Sequence, residues 1–318
     1  MWKDDFFALM GTPTISIEAI NRAQTLKDKH IPKFVYKYRA INDYSVKNLD
    51  TDTVWLSMAA QFNDPYDCCM TFDSLYLTKI IAKIDFESLI KRGALQPHLS
   101  EKEIDAAKNS DDPYENIIII LLEREKSINT NDRGKMAGVF KSILIDRTNE
   151  MIEQWNKYMQ ENTPVCSFSE RADSTVMWGH YADSHKGFCV EYPMDRLLPN
   201  DPRRRGLFPV TYSDELFDAT PYFEQSIMHR SFNNLFGILS ASRKAMDWSY
   251  EREWRLTLPI GQKLSSRNYL MPPPSAVYLG TRISEQGERQ IREICARKDV
   301  PVKRMRLSPK EFKLTPED

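Results

Sequence analysis

The sequence predicts an α+β fold, a central, mostly antiparallel sheet interrupted by helices. Two observations carry that expectation. Apolar, β-branched and aromatic runs with strand character occur before residue 60 and return from residue 165. Between them, residues 71–163 change character: apolar positions take helical spacing and the turns become charged. No internal repeat or low-complexity tract interrupts the pattern. The organisation expected is a single domain over residues 1–318, with a helical lead-in at 1–33 and a helical insertion at 71–163.

In order along the chain, Ile20, Ala23 and Leu26 set the helical spacing of the lead-in. Phe34–Arg39 reads as a strand and 43–49 as a helical turn. Residues 53–58 read as a second strand, followed by the polar turn Gln61–Asp67 around Pro65. In the insertion, Phe140, Leu144, Met151, Trp155 and Tyr158 make one amphipathic stripe, and 109–113 and 129–134 read as loops. Sheet-like sequence resumes at 165–169. A short helix over 174–182 then starts from Asp173 or Ser174 as N-cap. Strands are expected at 188–192, 208–212, 251–258, 276–280 and 300–305. Helices are expected at 224–247, with Phe232 among its apolar residues, and at 284–298.

Composition narrows the class. Of 318 residues, 41% are hydrophobic and 28% charged, an ordinary globular balance. A net charge of -1 gives no global attraction to nucleic acid or membrane. The apolar run Ile117–Leu122 is far too short to span a bilayer, and the N-terminus lacks a secretory pattern. Cysteines 68, 69, 166, 189 and 295 form no CxxC pair, which suits free thiols in a reducing cytoplasm. Cys68 and Cys69 read as neighbours on opposite faces of a strand. A cytoplasmic protein without membrane association is expected.

Four clusters carry candidate chemistry. Glu251 and Glu253 fall on one face if their segment is extended, beside Trp248, Arg255 and the upstream Lys244. The same pair also reads as solvated charge on an edge strand. Arg39, after Tyr38 at a strand end, suits a two-pronged contact to phosphate or carboxylate. Asn63, Asp64 and Asp67 crowd one turn, as a pocket wall or as turn residues bonding their own backbone. Trp178 and Tyr181 lie before the turn carrying Lys186 and suit ring stacking, with core packing the alternative for Trp178; His180, among polar neighbours, is a catalytic candidate. Arg203–Arg205 reads as a solvated loop. No HExxH, cysteine pair, Walker loop, GxGxxG or GxSxG is present, and no structural metal is expected.

These blocks taken in order resemble a bacterial and phage-associated family, domain of unknown function 2971. They are Tyr36–Arg39, Phe62–Asp67, Cys166–Glu170, Met177–Asp183 with His185–Gly187, and Trp248–Arg255. The resemblance covers about residues 33–305. A more distant resemblance is to the ADP-ribosyltransferase-like fold, and it implies an ADP-ribosyltransferase-like sheet. It also implies NAD as substrate, Arg39 on the pyrophosphate, Ser57 or Ser169 at the nicotinamide end, and Glu253 as the working carboxylate with Glu251 in support. Trp178 or Tyr181 would stack on a ring. Such an enzyme would transfer ADP-ribose to a protein or nucleic-acid acceptor, or hydrolyse NAD, as a toxin or anti-phage defence effector. Two alternatives stand beside it. One is a magnesium-dependent nuclease using Asp64, Asp67, Glu251 and Glu253 with Lys244 or Arg255 on the phosphate. The other is a non-catalytic module that senses a nucleotide or other small ligand. Neither the acceptor nor the oligomeric state is set by the sequence.

Overall fold

The computed structural model describes residues 2–14, 16–124, 129–229, 233–258 and 267–317. From the N-terminus come α1 (Trp2–Met10), α2 (Ile17–Asp28), β1 (Phe34–Arg39), α3 (Asp43–Asp50), β2 (Thr53–Trp55), β3 (Ser57–Met58) and β4 (Met70–Thr71). Helices α4 (Ser74–Lys91), α5 (Glu101–Lys108), α6 (Pro113–Arg124) and α7 (Thr130–Asn162) follow. Next are β5 (Pro164–Ser169), α8 (Thr175–Tyr181), β6 (Phe188–Pro193), α9 (Pro202–Arg205), β7 (Leu207–Pro209), β8 (Thr211–Ser213) and β9 (Phe217–Asp218). The chain continues through α10 (Thr220–His229), α11 (Phe236–Ala241), β10 (Arg243–Ala245), β11 (Glu253–Thr257) and β12 (Asn268–Leu270). It closes with β13 (Ala276–Leu279), α12 (Glu285–Arg297), β14 (Val302–Leu307) and β15 (Leu314–Glu317).

The described residues group into two compact units. The first comprises Met1–Cys69, Met159–Phe217 and Asn234–Asp318. Its main sheet runs β15-β14-β13-β6-β1-β5-β11-β7, with β3 pairing the start of β5. The fold is α+β, and the sheet is mixed, which corrects the mostly antiparallel expectation. Strands β13 and β14 run parallel because α12 returns the chain between them, and the small β8–β10 pair is parallel too. Alternation sends Trp254 and Leu256 of β11 into the apolar core with Val35, Phe168, Phe188 and Val277. Helix α12 closes over that core through Ile291, Ile294 and Cys295 after a Ser284 cap. The second unit comprises Met70–Tyr158 and Asp218–Asn233, with Phe86, Leu99, Ile104, Ala107 and Ile117 in one cluster. Among the described residues, no helix is long and apolar enough to cross a membrane.

Several boundaries move. The expected 53–58 strand breaks at Leu56, whose amide bonds the Arg267 carbonyl, so β2 pairs with β12 while β3 joins the main sheet. The expected helix over 224–247 becomes α10, α11 and β10; Phe232 lies outside the described residues. Asn233 and Asn234 sit between the helices, where short amides favour non-helical backbone. The expected strand over 208–212 divides at Val210. Helix α7 begins at Thr130, inside the expected loop. Its stripe is less buried than the spacing implies: Phe140, Leu144 and Tyr158 are exposed. Arg203–Arg205 is helical, capped by Asp201, with Arg204 paired to Asp28. Cys68 and Cys69 lie in a turn, where Cys68 takes φ 63°.

Candidate functional site

The acidic pair converges by a route other than strand alternation. Met246–Glu251 is a 3-10 turn, and Arg252 takes a left-handed φ of 45° before β11 starts at Glu253. That conformation costs about 1–2 kcal/mol for a non-glycine residue. Its amide bonds the Ser249 carbonyl, and its carbonyl accepts the Glu170 amide. The kink brings both carboxylates to one ammonium. Lys244 Nζ lies 2.7 Å from Glu251 Oε2 and 3.3 Å from Glu253 Oε2. Lys244 also sits 4.6 Å over the Trp248 ring.

Arg255, fully buried, holds the far side. Its Nε donates to Glu253 Oε1 at 2.8 Å, one Nη to Asp67 Oδ1 at 2.5 Å and the other to the Ala241 carbonyl at 2.8 Å. Tyr181 Oη donates to Glu251 Oε1 at 2.6 Å, and Ser169 Oγ donates to the Glu251 carbonyl at 2.7 Å. Asp67 Oδ2 is buried without a hydrogen-bond partner.

The two glutamates differ electrically. Burial opposes ionisation of Glu253, but Arg255 and Lys244 outweigh it and hold its carboxyl down at about 2. Burial and the neighbouring Glu253 charge push Glu251 up, against Lys244 and Tyr181. Burial also raises Asp67, against Arg255 and Lys244. Two cations, Lys244 and Arg255, therefore face three carboxyl groups, one negative charge in excess when all are ionised.

A cavity of about 140 Å³ opens onto this cluster. Asp67, Glu251, Glu253 and Lys244 form its polar end; Tyr36, Tyr38, Phe62, Phe168 and Tyr181 supply aromatic wall. Asn63 lines it and is exposed, so the cavity reaches solvent there. Among the described residues, no three His, Cys, Asp or Glu side chains converge as a metal cage.

The cavity gathers Tyr38, Asn63, Asp67, Ser169, Tyr181, Lys244, Glu251 and Glu253 from the sequence candidates, with Arg255 directly behind them. The others lie apart from its lining. Arg39 reaches Asn48 Oδ1 at 3.4 Å, and Ser57 pairs with Val165. Asp64 Oδ1 accepts the Tyr66 amide. Trp178 is fully buried, edge-on to Tyr38, with Nε1 donating to the Ala172 carbonyl. His180 is exposed, its Nδ1 3.1 Å from Tyr250 Oη. Lys186 is exposed in the turn after α8. That turn places Asp183, Ser184 and His185 at positive φ, and Gly187 is packed so closely that a Cβ would lie 2.0 Å from the Arg39 carbonyl oxygen. It thereby fixes α8, and Tyr181 with it, against β1. Sequence reasoning passed over Lys37, Phe62, Ser167 and Phe168 as lining residues. A lysine within the apolar strand Phe34–Tyr38 was the available signal.

The family model described as "Protein of unknown function (DUF2971)" matches residues 177–256, the stretch that carries Tyr181, Lys244, Glu251, Glu253 and Arg255. No curated protein and no solved structure matches the chain. The match bears out, over residues 177–256, the resemblance to that family read from the motifs.

Proposed function

We propose that the cavity is the active site of an NAD-consuming enzyme, of ADP-ribosyltransferase-like type, that breaks the bond between nicotinamide and ribose. The observation that carries the reading is a solvent-reaching cavity, walled by aromatic rings, that ends on a buried cluster of three carboxyl groups and two cations. Breaking this glycosidic bond builds positive charge on the ribose, and a preorganised carboxylate stabilises that charge without reorganising. A cavity of about 140 Å³ suits a ring and the adjoining sugar carbon. Pockets enclosing whole drug-sized ligands run to about 300–1,000 Å³, so the rest of the dinucleotide would lie outside.

The geometry favours exchanging the roles of the two glutamates. Glu253 is committed to Arg255 and Lys244 and serves as the anchor of the ion network. Glu251, held by Tyr181 and Lys244 at the end of a kinked turn, is the carboxylate that faces the substrate. Arg39 has no part in this proposal. The test is release of nicotinamide from NAD by the purified protein, alone and with protein, DNA or RNA acceptors. Release that requires the intact cavity supports the reading. Absence of release under all of these conditions rejects it.

A further inference from the structure

Lys37 lines the cavity and has no role in the glycosidic reading. Strands β1 and β5 share a single register pair, Tyr36 with Ser169, while β1 continues along β6 through six pairs. The β1–β5 ladder opens beyond that pair, and Lys37 Nζ donates to the Ser167 carbonyl at 2.7 Å. The amine lies 5.8 Å from the Phe168 ring centroid, and Lys37 and Phe168 both line the cavity. Among the described residues, no carboxylate lies within ion-pair distance of it. Nearby Lys244 differs, with two carboxylates as partners.

We propose that Lys37 is an amine nucleophile that captures the carbonyl carbon of a small aldehyde, or of an open-chain aldose, as an imine in this cavity. A neutral amine donates one hydrogen to the Ser167 carbonyl and keeps its lone pair free. The lone pair attacks the carbonyl carbon, a carbon–nitrogen bond forms, and the carbonyl oxygen leaves as water with both amine hydrogens. Nothing is oxidised or reduced. The surroundings favour the neutral form. Loss of solvation pushes the ammonium pKa down, and the Arg39 charge adds to this; Cys166 and Glu253 act in the opposite sense. The cavity volume of about 140 Å³ limits the ligand to a few carbons or to the reacting end of a longer sugar.

This assignment rests on Lys37 and the cavity, and nicotinamide release does not test it. The probe is glycolaldehyde with sodium cyanoborohydride, applied to the full chain at neutral pH. Hydride adds to the imine carbon and a proton from water adds to nitrogen, leaving a stable secondary amine for peptide mass spectrometry. Labelling of Lys37 is expected to exceed that of exposed Lys29, Lys33 and Lys47 by on the order of tenfold, because the desolvated site holds more free amine. Lys37→Met should lose that label and keep the surface ones. If that variant does not fold, the wild-type ratio decides alone. Labelling of Lys37 no faster than the three surface lysines, in folded protein, overturns the proposal.

Discussion

Replacing Arg255 by Met should expose how the buried cluster is held together. The guanidinium is fully buried and makes contacts with Glu253, Asp67 and the Ala241 carbonyl. Methionine keeps much of the volume and removes every one of them. Among cations, Glu253 then keeps Lys244, and Asp67 keeps none within ion-pair distance among the described residues. Removing one partner of a buried pair costs about 3–5 kcal/mol, because the other charge stays buried. The sign of the pH dependence gives a second readout. In the native protein Glu253 sits at about 2, below its ordinary 4.5, so its contribution is complete above 4.5 and falls away only as pH drops toward 2. In Arg255→Met, uncompensated burial raises the carboxyls above their unfolded values. Stability then falls as pH rises through those raised values and returns on acidification. Urea unfolding at about pH 7 and about pH 5 measures both effects. A loss under about 1 kcal/mol at pH 7, or a gap from the native protein that acidification does not narrow, would show that Arg255 does not hold the cluster together.

Two further outcomes follow from the packing. Gly187→Ala places a Cβ 2.0 Å from the Arg39 carbonyl oxygen, a backbone atom without a flexible end to yield, so overpacking of about 1–3 kcal/mol or more should appear as a lower Tm. Lys27 donates to the carbonyls of Arg204 and Arg205 at the end of α9, and desolvation, joined by the Arg205 and Arg204 charges against Asp28, brings its pKa down to about 7. A base whose folded pKa lies below its unfolded 10.5 makes stability rise with pH between about 7 and 10.5, by up to about 1.4 kcal/mol per pH unit. Lys27→Met should flatten that rise in urea midpoints taken across the window.

The sheet was legible where neighbouring residues alone decide the conformation. Phe34–Arg39, Val165–Ser169 and Phe188–Tyr192 carry enough β-branched and aromatic character to define β1, β5 and β6. Ile291, Ile294 and Cys295 mark the buried face of α12 in the same way. Features set by distant partners were not legible. The parallel β13–β14 pair follows from which side of the sheet receives α12, and the break at Leu56 depends on Arg267. At the site, the grouping of Glu251, Glu253, Lys244 and Arg255 was readable from proximity in sequence, but the left-handed Arg252 that produces it was not. Asp67 joined the cluster through Arg255, 188 residues away, a contact that only the fold creates. Arg39 drew attention as a strand-end arginine suited to a phosphate or carboxylate, yet it bonds Asn48 and its neighbour Lys37 lines the cavity.

The most direct measurement is nicotinamide release from NAD by Glu251→Gln and Glu253→Gln beside the native protein, with unfolding midpoints for all three. Glu251→Gln should unfold near the native midpoint and lose about 10²–10³ in kcat, the scale of one preorganised electrostatic contact. Glu253→Gln should be the less stable protein, because Arg255 and Lys244 lose the charge they share. A stably folded Glu251→Gln that releases nicotinamide at the native rate would contradict the claim that this carboxylate faces the substrate.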